Sequence, residues 1–327
     1  MKSSLIMLMI LSLVSCAQMV VKKINHHNER PAAAFQNAEK VLLPHRYRHC
    51  IESELCMSYW HIAPSDKPNT LNMNIKAYSS RYTADSKLTL SNDHQNLFQG
   101  TMVILPCYTC TKESMSFHAM YFQHLGFDVL IPDLLGHGES SRGLGFGVKD
   151  AHLLEHVLKS HPELPQPLLL TALSMGAYTA AHLQSLISVD GMIWIAPSIQ
   201  FDDAVAVFPQ LSGSGWHQLV PEASLRQGAL QALAEANVEL HQTNIQHFQP
   251  RMRSLIIASD IDPVAPYQHY AHWQQQAHID VINLAGRPHP LMLLIGTEEH
   301  EIIFNWLDSF DGATEANSQE SLNEITP

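Results

Sequence analysis

The stretch TALSMGAYTAAHL, residues 171–183, sets Ser174 between Ala172 and Gly176. A serine with small residues two positions to either side can occupy a sharp strand-to-helix turn that exposes its hydroxyl. Such a hydroxyl becomes a nucleophile when an imidazole takes its proton and a carboxylate fixes the tautomer of that imidazole. Downstream, SLIIASDIDPVAP offers Asp260 and Asp262, and IDVINLAGRPHPLML displays His289 on a Gly-Arg-Pro loop. Asp202, Asp203 and His300, the last at the start of HEIIFNWLDSF, compete for the same roles. The order serine, acid, base, each following an apolar run, fits acyl transfer through a covalent intermediate. The alternative for Ser174 is an N-cap on a buried helix. Ala172, standing where the elbow pattern has its first glycine, weakens that pattern without abolishing it, since a methyl group is the smallest available departure.

Three such groups need a frame that brings distant loops together. Apolar runs recur as LNMNIKAYS, SKLTL, GTMVILP, FDVLIP, PLLLTAL, GMIWIAP, SLIIAS and IDVINL, and helical patterns such as MSFHAMYFQHLG and VKDAHLLEHVLKSH lie between the later ones. Continuous rather than alternating apolar runs are what strands covered on both faces look like. They predict a mostly parallel eight-stranded sheet flanked by helices, with two antiparallel strands at its start and catalytic loops at the carboxyl ends of later strands. The core is read over residues 71–196 and 251–310. Between them, residues 197–250 lack a strand and PEASLRQGALQALAEANVEL reads as an amphipathic helix, so an inserted helical cap is expected. AVAVFPQL and Trp216 within it could line an acyl pocket or simply pack the cap onto the sheet. Residues 16–70 read as a linker and N-terminal extension, and residues 311–327, polar and acidic, as a disordered tail. No internal repeat is seen.

With 327 residues, 46% hydrophobic and 15% charged, the chain can bury a large core. A net charge of -12 with scattered lysines and arginines excludes a nucleic-acid groove, which needs concentrated positive charge. MKSSLIMLMILSLVSCAQ has Lys2, an apolar run too short to span a bilayer and small residues before Cys16, the layout of a signal peptide over residues 1–15. Leu13-Val14-Ser15-Cys16 further resembles a bacterial lipobox. That resemblance implies export, lipidation of Cys16 and tethering to the cell envelope, and Ala17 after the cysteine fits sorting to an outer membrane. An ordinary cleaved signal is the other reading. Cys50, Cys56, Cys107 and Cys110 remain, an even number in an exported chain; short separations favour Cys50 with Cys56 and Cys107 with Cys110 among three connectivities. A thiol-redox role for C-Y-T-C is disfavoured because the surrounding chain does not follow a thioredoxin-like plan. Histidine pairs and HPLMLLIGTEEH lack metal-ligand spacing.

FQHLGFDVLIPDLLGHGESS resembles the D-x-x-G-H-G-x-S segment after the fourth strand of the α/β-hydrolase superfamily, with Asp133, His137, Gly138 and Ser140 in the matching places. The likeness covers roughly residues 72–310 and is greatest to the monoacylglycerol lipase, lysophospholipase and serine aminopeptidase branch. It implies Ser174 as nucleophile, His289 as base and Asp262 as acid, since that branch places its acid before an apolar-Val-x-Pro run, as DPVAP does here. Oxyanion donors would be the Met175 and Tyr108 amides. Relatives carry His-Gly in the loop after the first parallel strand, where this chain has Pro106 and Cys107; a Cys107–Cys110 disulfide would stiffen that loop instead. Asp133 and His137 would be structural. No metal or organic cofactor is implied. The expected substrate is a small-molecule ester or lipid such as a lysophospholipid or monoacylglycerol, reached beside the membrane. A non-catalytic envelope lipoprotein that keeps the fold for binding or scaffolding is the contrasting expectation. Nothing in the sequence speaks to oligomeric state.

Overall fold

A computed structural model of the chain describes residues 16–25, 35, 37–51, 55–67, 69–78, 82–212 and 219–323. The expected leader 1–15 and Trp216 lie outside the described residues. Helix α1 (residues 16–25) and α2 (Ala38–Leu42) precede strands β1 (His45–Cys50) and β2 (Cys56–Ile62). A hairpin follows, β3 (Leu71–Tyr78) with β4 (Thr83–Leu90). Strands and helices then alternate as β5 (Thr101–Leu105), α3 (Ser116–Leu125), β6 (Asp128–Pro132), α4 (Val148–Lys159), β7 (Leu168–Leu173), α5 (Gly176–Leu183) and β8 (Gly191–Ile195). After the helices α6 (Phe201–Ser212) and α7 (Glu222–Glu235) come β9 (Arg253–Ala258), β10 (Ile279–Asn283), α8 (His289–Met292) and α9 (Thr297–Asn323).

Eight strands form one sheet in the order β1-β2-β6-β5-β7-β8-β9-β10. The six from β6 to β10 run parallel, while β1 and β2 are antiparallel to their neighbours. β5, β7 and β8 are buried along their whole length, because helices cover both faces and leave the strand no solvent side. This is the expected α/β-hydrolase architecture, with α6 and α7 inserted between β8 and β9 and packed on one another.

Three boundaries differ from the sequence reading. The antiparallel strands at the edge of the sheet come from residues 45–62, inside the segment read as linker and extension, so the core starts before residue 71. The Cys50–Cys56 disulfide clamps their register, Cys50 facing Cys56 in the ladder. β2, CMSYWHI, is buried almost throughout, whereas β4 alternates buried and exposed positions. One wet face suits the separate β3–β4 hairpin, which lays Met73, Leu88 and Leu90 on the body. Helix α1, also within that segment, is docked: its Val20 and the Ala17 carbonyl lie where a side chain on Gly228 of α7 would go. Asn25 donates to Glu235 of α7 at 3.0 Å. Finally, α9 continues to Asn323, through the segment expected to be a disordered tail.

His118 of α3 is buried with neither ring nitrogen hydrogen-bonded among the described residues, and burial lowers its pKa to about 4. The unfolded chain therefore takes up a proton near pH 6.5 that the native chain refuses, so this contribution to stability is whole above that pH and is lost as pH falls toward 4. His118→Phe is expected to flatten the fall in urea-unfolding free energy between pH 7 and pH 5 by about 2 kcal/mol. Parallel pH profiles for the two proteins would contradict this.

Candidate active site

The turn between β7 and α5 holds Ser174 at φ 49°, a left-handed conformation that a residue with a side chain adopts only under constraint. The constraint is visible on both sides. The Ser174 N–H donates to the Ile195 carbonyl at 3.0 Å, and the Ser174 carbonyl accepts from Ser198 at 3.1 Å. Two residues on, a Cβ at Gly176 would lie 2.3 Å from the Leu105 carbonyl oxygen, so this position admits glycine alone without backbone movement. Ala172 is fully buried in register between Leu105 of β5 and Trp194 of β8, and its methyl group is accommodated in the sheet.

The other groups arrive from the next loops along the same sheet end. The Ser174 hydroxyl lies 2.8 Å from His289 Nε2, and His289 Nδ1 lies 2.7 Å from Asp262 Oδ2. The carboxylate can only accept, so Nδ1 carries the proton and Nε2 is left to accept from the serine. Asp262 is buried, and its other oxygen accepts from the Val264 and Ala265 amides at 2.8 and 3.1 Å. Both of its oxygens are thereby engaged. Such a chain lets an imidazole remove a hydroxyl proton while the carboxylate steadies the resulting imidazolium.

The competitors are elsewhere. Asp260 accepts from the Gly286 amide at 2.8 Å and braces the loop that displays His289. Ser259 Oγ accepts from Arg287 N–H at 3.1 Å in the same brace, and the Arg287 guanidinium pairs with Glu298 at 2.7 Å and with Glu299. Asp202 and Asp203 pair with Arg226 across the cap helices at 3.1 and 2.5 Å. His300 hydrogen-bonds Tyr121 at 3.1 Å, packed among His94 and Phe304.

Met175 and Tyr108 both line the cavity that Ser174 opens into. Met175 N–H belongs to the first turn of α5, where amides have no acceptor within the helix. Tyr108 lies in the loop after β5, closed by the Cys107–Cys110 disulfide and a Cys110 N–H to Cys107 carbonyl bond of 3.1 Å. The D-x-x-G-H-G-x-S segment, whose Asp133 and His137 were expected to be structural, supports this loop, together with Lys112, which sequence reasoning did not name. Thr109 N–H donates to His137 Nε2 at 3.1 Å, while His137 Nδ1–H donates to the Leu135 carbonyl. Asp133, fully buried, accepts from Lys112 N–H at 2.8 Å and pairs with the Lys112 ammonium at 2.5 Å. Lys112 stands two residues after C-Y-T-C and Asp133 ahead of G-H-G, and no local spacing in the sequence joins the two.

The cavity measures about 540 Å³. Its apolar walls include Phe201, Phe208 and Leu211 of α6 and Leu293 beyond α8, with Val20 and Ile24 of α1 closing another part. Part of AVAVFPQL thus does line the space above the serine. Among the described lining residues there is no aspartate or glutamate.

A family model described as serine aminopeptidase, S33, matches residues 99–280, and no curated protein matches the chain. Among solved structures, an esterase of Pyrococcus furiosus, Pf2001, is 16% identical, with 83% of this chain and 93% of that one covered at a TM-score of 0.58. The α/β hydrolase GrgF from Penicillium sp. sh18 is 15% identical, with 82% and 97% covered at a TM-score of 0.54. At such identities the likeness is one of fold.

Gly176→Ala is expected to destabilise the protein by about 2 kcal/mol in chemical unfolding, because the new methyl group meets backbone oxygens that no rotamer change can move. An unchanged unfolding midpoint would contradict the close approach of α5 to the end of β5.

Proposed function

The chain belongs to the hydrolase family described as serine aminopeptidase, S33, and from that premise we propose that it cleaves carboxylic esters of apolar acyl chains with Ser174, His289 and Asp262 as its triad. The observation that carries the reading is the unbroken Ser174–His289–Asp262 chain, at 2.8 and 2.7 Å, opening into an apolar cavity. In the proposed reaction Ser174 Oγ attacks the ester carbonyl as its proton passes to His289 Nε2. The Met175 and Tyr108 amides receive the negative charge that develops on the carbonyl oxygen, worth about 3 kcal/mol per donor in comparable sites. His289 then protonates the leaving alkoxide. Water, deprotonated by the same imidazole, releases the acyl group and restores the serine.

The lining favours esters over peptides with a free amino terminus. An aminopeptidase needs an anionic group for the substrate ammonium, and the described lining offers no carboxylate. Its aromatic and aliphatic side chains suit an acyl tail, which supports the lysophospholipase and monoacylglycerol lipase side of the family. We further propose that the mature chain begins at Cys16, carries a lipid there and is tethered in the bacterial envelope at the outer membrane. Docking of α1 on the cap supports a functional placement for that tether, because the anchored residue would then be the first of a helix that lines the cavity.

Hydrolysis of p-nitrophenyl esters of increasing chain length tests this reading. Rates should rise from acetate toward medium chains and fall to background in Ser174→Ala. Asp262→Asn should lose about 10⁴-fold in kcat while Asp260→Asn loses far less. Aminoacyl p-nitroanilides should remain uncleaved. A folded wild-type protein that hydrolyses no ester would favour the binding or scaffolding role instead.

A further inference from the structure

Helix α1 is built into the cavity. Val20 and Ile24 are buried and line it, and the Tyr108 hydroxyl donates to the Ile24 carbonyl at 2.9 Å, tying the helix to the loop that carries a proposed oxyanion donor. On its other side the helix is held to α7 by the Val20–Gly228 contact and by the Asn25–Glu235 hydrogen bond. One helical turn spaces Val20, Lys23 and Ile24 onto a single face, so Lys23 accompanies the two apolar residues toward the cavity. It lines the cavity yet remains exposed to solvent, and no carboxylate pairs with it among the described residues.

Lys23 is also the only lysine or arginine among the described lining residues, in a chain whose net charge is -12. An unpaired ammonium at an apolar cavity repels a cationic head group and attracts an anionic one, while the aromatic and aliphatic walls hold a hydrocarbon tail. We propose that α1 is part of the substrate site and that Lys23 selects single-chain acyl esters whose head group is anionic. This rests on the ester-hydrolase reading and narrows it, since the same cavity without Lys23 would treat charged and uncharged esters alike.

The test compares monodecanoyl glycerol phosphate with monodecanoyl glycerol, both below their micelle concentrations, as substrates of the full chain. The ratio of kcat/KM for the phosphate over the uncharged ester is expected to fall about fivefold in Lys23→Gln, the scale of an exposed ion pair. The change should sit in KM, Lys23→Glu should lower the ratio further, and Lys23→Arg should restore it. Because it is a ratio, a general loss of folded protein cancels. An unchanged ratio in Lys23→Gln, or one not restored by arginine, overturns the assignment of Lys23. p-Nitrophenyl decanoate, run beside them, separates the two layers. Wild-type protein that cleaves it without a Lys23-dependent ratio refutes only the head-group selection, and wild-type protein that does not cleave it refutes the hydrolase reading and this inference with it.

Discussion

Everything at the site follows from a serine held in a left-handed backbone conformation at the end of a buried strand. That conformation costs of order 1–3 kcal/mol and persists only where the surroundings over-determine it. Here they do so from three directions: the Ile195 carbonyl, the Ser198 amide and the missing side chain at Gly176. The strand supplies the rigidity. β7 lies between β5 and β8, fully buried, so the turn cannot relax without disturbing the centre of the sheet. What the turn achieves is placement of a hydroxyl where two later loops can reach it.

Those loops are positioned by polar groups that touch no reacting atom. Asp260 holds the His289 loop through Gly286, and Asp262 is aimed by two backbone amides. On the opposite side, His137 and the Lys112–Asp133 pair hold the disulfide-closed loop that carries Tyr108. A buried pair of this kind is weak evidence for net stability, because desolvation offsets much of the attraction; removing one partner alone is what costs several kcal/mol. Its directionality fits a role in fixing loop geometry.

The centre of the fold was legible because strands covered on both faces must be continuously apolar, and helices must separate parallel strands. That Ser174, Asp262 and His289 would meet was legible for a different reason: in this topology loops that follow particular strands in a particular order converge at one end of the sheet. The edge of the sheet was not. His45–Cys50 is polar and exposed, as an edge strand is allowed to be, so it offers no apolar run to read. Helix α1 was obscured by its place after a leader-like segment, although Val20, Val21 and Ile24 have helical spacing. Lys112, Asp133 and His137 act through contacts distant in sequence, and no local spacing reports which loop a motif will brace. The same applies to Lys23, whose significance lies in what surrounds it.

Reaction with a fluorophosphonate, followed by peptide mapping, tests the central claim most directly, because phosphonylation requires both an activated serine and donors for the developing oxyanion. A single adduct on Ser174, absent from a Ser174→Ala protein with an unchanged unfolding midpoint, is the predicted result. A folded wild-type protein that stays unlabelled, or carries its adduct on another residue, would contradict it.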